Sequence, residues 1–95
     1  MISPTLVSRD AANDEGIMDQ ISSKLENEIK ELGHKIKDLR VAKGLSQTEL
    51  AESIGVRQPI VSRIEKGTHV PTWRNLERIA RALGTEISVV IKLPN

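Results

Sequence analysis

Leu45-Ser46-Gln47-Thr48-Glu49-Leu50-Ala51-Glu52-Ser53-Ile54-Gly55-Val56-Arg57-Gln58-Pro59-Ile60-Val61-Ser62-Arg63-Ile64-Glu65-Lys66-Gly67 is the stretch that decides the fold. Ser46 stands three residues before Glu49, a capping box that opens a helix through Leu50, Ala51 and Ile54. Gly55 stops that helix. Pro59 falls in the first turn of the next one, where its missing N–H has no helical partner to lose. Ile60, Val61 and Ile64 form the inward face, and Gly67 closes the helix. The joint Gly55-Val56-Arg57 is as short as a helix-turn-helix requires: Gly55 supplies a corner at positive φ, Ala51 permits close crossing and Val56 plugs the turn. Helix pairs of this kind also occur as ordinary packing units, so the spacing by itself leaves both readings open.

Outward from the pair, the pattern stays helical. Thr72 caps a helix with Leu76, Ile79, Ala80 and Leu83 as its stripe, and Gly84 ends it. Upstream, Ile17, Ile21, Leu25, Ile29, Leu32, Ile36 and Leu39 recur in steps of three or four, with charges filling the other face. Gly33 predicts either one long helix with a weak point or two helices meeting there, and Gly44 predicts a left-handed cap after Lys43. Residues 1–16 show no sustained period and read as a mobile acidic arm. Ile87-Ser88-Val89-Val90-Ile91-Lys92-Leu93 is β-branched and nearly alternating, which predicts a short C-terminal strand in need of a pairing partner. The expected division is an arm (1–16), an N-terminal helix (17–33), a helix-turn-helix domain (34–84) and a strand with its tail (85–95).

Composition removes several classes of function. The chain has 95 residues, no Cys, two His and one aromatic residue, Trp73. Disulfides, cysteine-based zinc sites and thiol catalysis are therefore excluded, and base stacking on single strands has almost nothing to work with. Neither His34 nor His69 has a carboxylate pattern around it, and no general base adjoins Ser46 or Ser62 in sequence. We expect a non-enzyme with no cofactor, no metal and no small-molecule substrate. The longest apolar run is Val89-Val90-Ile91, far short of the roughly 20 residues of a membrane span. No secretory signal is visible, so a cytoplasmic location and no membrane partner are expected. The net charge of +1 conceals a split: residues 1–31 carry −4 and residues 32–95 carry +5. An acidic arm on a basic body points to nucleic acid as a partner of the body.

Leu45 to Ala51, Val56 to Gly67, Pro71-Thr72, Leu76, Ile79-Ala80 and Ala82-Leu83-Gly84 resemble the Cro/repressor-type (XRE, lambda-repressor-like) helix-turn-helix family. The resemblance covers residues 34–84 and implies an all-α DNA-binding domain of about five helices. It also implies that the second motif helix enters the major groove N-terminus first. Gln58 then suits adenine, Arg63 guanine, Pro59 a thymine methyl, and Ser62 either strand. Arg57 stands where the family usually has Ser or Thr; this weakens the cap and puts a guanidinium at the groove mouth. Gln47, at a helix start, is a phosphate or capping residue. Lys66, Thr68 and Arg74 are phosphate candidates. A solvated helix face is the plainer alternative for Arg57, Gln58 and Arg63. Arg40 and Glu65 match the family's internal ion pair and read as structural. Trp73 reads as a packing or interface anchor, and the two histidines as loop and surface residues.

The whole plan, an acidic segment before the domain and a strand after it, is similar to HigA-type antitoxins. That resemblance implies a homodimeric repressor on a palindromic operator in double-stranded DNA, which autoregulates its operon. It further implies a small basic ribonuclease toxin as protein partner. Ile2, Leu6, Val7, Ile17 and Ile21 are the apolar anchors expected to hold such a toxin, with the acidic charge steering the encounter. The alternative is a stand-alone phage or chromosomal regulator whose N-terminal helix dimerises. Leu25, Ile29, Leu32, Ile36 and Leu39 do follow a heptad over two repeats. A non-DNA adaptor built on the same helices is the third class.

Overall fold

The computed structural model describes the backbone of residues 11–91 and the side chains of residues 17–91. Among the described residues five helices follow one another: α1 Ala11–Ala42, α2 Gln47–Ile54, α3 Gln58–Lys66, α4 Trp73–Ala82 and α5 Ile87–Val90. α1 lies against α3 and α5, α2 against α3 and α4, and α4 against α5. Ile36 of α1, Leu50, Ala51 and Ile54 of α2, Val61 and Ile64 of α3, Leu76, Ile79 and Ala80 of α4, and Val90 of α5 meet in one core, joined by Leu83. Burying a side chain of this size contributes roughly 1.5–3 kcal/mol, so these contacts position the outward face of α3.

The helix ends are set locally. Ser46 Oγ accepts from the Glu49 N–H at 3.0 Å and Glu49 Oε1 accepts from the Ser46 N–H at 2.8 Å, which completes the box. Thr72 Oγ1 accepts from the Asn75 N–H at 3.1 Å and starts α4. Gly55 adopts φ +75°, and a Cβ there would meet nothing within 4 Å. Its requirement is therefore conformational: the turn between α2 and α3 needs the left-handed corner that only glycine adopts without strain.

Gly33 is a glycine for the opposite reason. α1 runs through it unbroken, and the helix starts at Ala11, inside the stretch expected to be an arm. A Cβ on Gly33 would fall 2.3 Å from the carbonyl oxygen of Ile64 and 2.7 Å from that of Glu65. The residue is absent of side chain because the backbone of α1 rests on the C-terminal end of α3. N-terminal to that contact, α1 projects. At 1.5 Å per residue its 32 residues reach about 48 Å, and the molecule measures 55 × 26 × 20 Å with a radius of gyration of 17.3 Å. A compact domain of this length has roughly 12 Å.

Among the described residues the expected C-terminal strand is not there. Ile87–Val90 is a single helical turn, with Val89 N–H on the Glu86 carbonyl and Ile91 N–H on that of Ile87, both at 2.9 Å. Val90 is buried, with Ile87 and Ile91 half-buried against the same core. A helical turn puts these three on one side, whereas an extended chain would alternate them and leave its backbone unpaired. Tertiary burial outweighed β-propensity. Leu93 lies outside the described residues.

Candidate nucleic-acid interface

α3 has two distinct faces. At 100° per residue, Gln58, Ser62, Lys66, Pro59 and Arg63 fall within an arc of about 140°. Pro59, Arg63 and Lys66 are exposed and Gln58 and Ser62 half-buried; Val61 and Ile64 outside the arc are buried, and so is Glu65 at its edge beside Gln58. Arg57 is the N-cap residue in extended conformation, exposed and without a side-chain cap bond, so its guanidinium is uncommitted. In the first turn of α3 Pro59 has no N–H and the Ile60 N–H bonds the Arg57 carbonyl at 2.9 Å, so the Gln58 N–H is the one left beside it.

Beneath this face runs a chain of polar groups that starts at a buried charge. Arg40 Nε donates to Glu65 Oε2 at 2.6 Å, Nη2 to Oε1 at 3.1 Å, and Nη1 to the Leu45 carbonyl at 2.7 Å. The hydrogen bond and charge of Glu65 raise the Arg40 pKa above its ordinary value, against desolvation. Gln47 Nε2 also donates to Glu65 Oε1, at 2.9 Å, and Gln58 Nε2 donates to Gln47 Oε1 at 2.8 Å. The order of donors is forced. Paired with Arg40, the carboxylate only accepts, so Gln47 must turn its NH2 toward it; Gln47 then offers its oxygen, and Gln58 must answer with NH2. Gln58 is left with one N–H and its carbonyl oxygen free, the donor and acceptor that a bidentate contact with adenine uses.

The network gives Gln47 a different setting from the one expected. The cap of α2 is Ser46, and the half-buried Gln47 spends its side chain on α3, so its backbone N–H is what it can offer a phosphate. Thr68 Oγ1 donates to the Arg63 carbonyl at 3.2 Å and stays exposed. Arg74 is exposed, Trp73 at the start of α4 is 55% exposed, and Val70 in the preceding loop is 58% exposed. Ile17 and Ile21 lie exposed on α1; Ile2, Leu6 and Val7 are outside the described residues. The contact between Gln47 and Gln58 was the piece that sequence reasoning missed. Its signal was the eleven-residue separation, which puts the start of α2 next to the start of α3. Among the described residues no buried side-chain polar atom lacks a partner, no acidic or histidine cluster could hold a metal, and no helix is long and apolar enough to cross a membrane.

A short αL turn between two packed helices, a second helix with one buried and one polar face, and a polar relay presetting that face define a DNA-binding regulator of helix-turn-helix type. The chain belongs to that family: the helix-turn-helix family model matches residues 36–90. It is 39% identical over 61 residues to the ImmF control region 10 kDa protein of Bacillus phage phi105, covering 64% of this chain and 68% of that one. It is 46% identical over 50 residues to the antitoxin HigA1 of Mycobacterium tuberculosis, covering 53% of this chain but only 34% of the antitoxin. Among solved structures it is similar to the restriction-modification controller protein C.AhdI of Aeromonas hydrophila. That likeness has a TM-score of 0.65 and 32% identity, over 66% of this chain and 96% of that one.

Proposed function

We propose that this regulator is a sequence-specific repressor that binds a palindromic operator as a homodimer in the cytoplasm, with residues 34–84 as its DNA-binding domain. α3 lies in the major groove with Gln58 on adenine, Arg63 on guanine, Pro59 against a thymine methyl and Ser62 on either strand. Arg57 reads a guanine or clamps a phosphate at the groove mouth. The Gln47 N–H, Lys66, Thr68 and Arg74 hold phosphates and set the register. The observation that carries this reading is the arrangement of Gln58: its orientation is fixed from a buried ion pair, and the two polar groups left over are the two that adenine recognition needs. Arg63→Ala should cost about 1–3 kcal/mol on the operator and relax preference at one base pair. Lys66→Ala should weaken all duplexes alike and reduce the salt slope by about one. An equal loss on operator and random DNA for Arg63→Ala, measured by fluorescence anisotropy, refutes the base contact.

A second reading is favoured by the similarity to HigA1 together with the −4 charge of residues 1–31. In it the repressor is also an antitoxin that neutralises a small basic ribonuclease, held by Ile2, Leu6, Val7, Ile17 and Ile21, and autoregulates the operon encoding both. Co-expression with the product of an adjacent small basic reading frame tests it: growth rescue that is lost on deleting residues 1–31 supports it, and the absence of any rescue refutes it.

A further inference from the structure

The apolar stripe of α1 does not stop where its tertiary contacts stop. Ile36 is fully buried in the core, and Leu32 and Leu39 pack against it. On the same side of the helix, within an arc of about 120° at 100° per residue, lie Ile29, Leu25, Ile21, Met18 and Ile17. Every residue from Ile17 to Glu28 is exposed, with Ile17 at 52%, Met18 at 56%, Ile21 at 46% and Leu25 at 52%. Most helical stability in proteins comes from covering such a face, and an isolated amphipathic segment is marginal in water. The stripe also forms the floor of a groove of about 600 Å³ between α1 and α5, where Leu25, Ile29 and Leu32 face Val89, Val90 and Ile91.

Charge says what covers it. Along residues 11–31 of α1, Asp14, Glu15, Asp19, Glu26, Glu28 and Glu31 outnumber Lys24 and Lys30. Along residues 32–43, Lys35, Lys37 and Lys43 outnumber Asp38, with Arg40 already paired to Glu65. The helix is thus acidic at one end and basic at the other. A parallel neighbour would set acidic end against acidic end; an antiparallel copy sets each acidic end beside a basic one, twice, about a two-fold axis. The same operation lays the stripe of each copy into the groove of the other.

We infer that a second copy of this chain occupies the groove, its α1 antiparallel to the first, with Ile17, Met18, Ile21 and Leu25 of each protomer packed against Leu25–Leu32 of α1 and Val89 and Ile91 of the other. This rests on the dimer of the proposed function and gives it a surface. The consequence is mechanical: because Gly33 seats α1 directly on the backbone of α3, a pair of α1 helices fixes the relative position of the two DNA-reading helices.

The test uses the full chain. Sedimentation equilibrium should show a dimer, and the double substitution Ile21→Glu with Leu25→Glu should raise its dissociation constant by at least about 100-fold, since each charge would be buried without a partner. Both positions are exposed in the protomer, so a cooperative far-UV circular dichroism melt of the variant controls for folding. The variant should still bind a duplex holding a single half-site and lose the tighter binding to the full palindrome. The chain has no cysteine, so orientation can be read by oxidising a mixture of Ile17→Cys and Lys35→Cys protomers, two positions on one flank of the stripe at 100° per residue. Cross-links between 17 and 35 are expected to dominate; a predominance of 17 to 17 overturns the antiparallel pairing. A variant that stays dimeric overturns the surface, as does a wild-type chain that is monomeric at 50-fold above its operator-binding concentration (a stripe then left to some other protein). Loss of half-site binding by the well-folded monomer would instead count against the DNA-reading face.

Discussion

The two halves of α1 carry one continuous apolar stripe, yet one half is built into the domain and the other stands clear of it. From Leu32 to Arg40 the helix is held by three different devices: Ile36 in the core, Gly33 on the backbone of α3, and Arg40 ion-paired to Glu65. From Ile17 to Glu28 none of these occurs, and each side chain is exposed. The spacing of apolar residues is alike in both. Periodicity therefore shows that a face exists, and only the partner element decides whether it is buried within the chain or offered to another molecule.

The contrast can be broken most severely at Glu65. Glu65→Ala leaves the Arg40 guanidinium buried and unpaired and also releases Gln47 and Gln58, so unfolding in urea should show a loss of about 3–5 kcal/mol. A loss below 1 kcal/mol would mean that the docked half is held by packing alone. Ile36→Ala comes next. The side chain is 0% exposed, and its removal should cost about 2–5 kcal/mol in the same assay.

Gly33→Ala tests the sign of an effect. Helix propensity alone favours alanine by about 1 kcal/mol, but its Cβ would meet the Ile64 carbonyl at 2.3 Å. Overpacking should win and destabilise by about 1–3 kcal/mol. A stabilised variant would show that α1 does not rest so closely on α3. The smallest effect belongs to the free half. Leu25→Ala, followed by thermal melting at concentrations where the chain is monomeric, should change folding stability by no more than about 0.5 kcal/mol. A drop comparable to that of Ile36→Ala would erase the distinction between the halves.

Much of the domain was legible in the sequence because its boundaries are short-range events. Ser46 with Glu49, Thr72, Pro59 and Gly55 each act within three or four residues, and the structure shows each at the helix end expected of it. The two-sided pattern of α3 was equally readable, since a period of 3.6 sorts Gln58, Ser62 and Arg63 from Val61 and Ile64. The relay through Gln47 was not. It joins side chains 11, 18 and 25 residues apart, and a donor's direction depends on what the next residue in space can accept.

By itself the sequence determined the helix-turn-helix pair, its caps and the polar face of α3, because these follow from local backbone preference and periodicity. Tertiary structure alone decided three further things. It turned Ile87–Val90 into a helical turn, because burying Val90 and its neighbours on one side outweighs the β-propensity of branched residues. It made Gly33 a seat for α3 where propensity reads a weak point, because close approach of two backbones is invisible along one of them. It divided α1 into a docked and a free half, because the chain that must cover a stripe lies elsewhere in space.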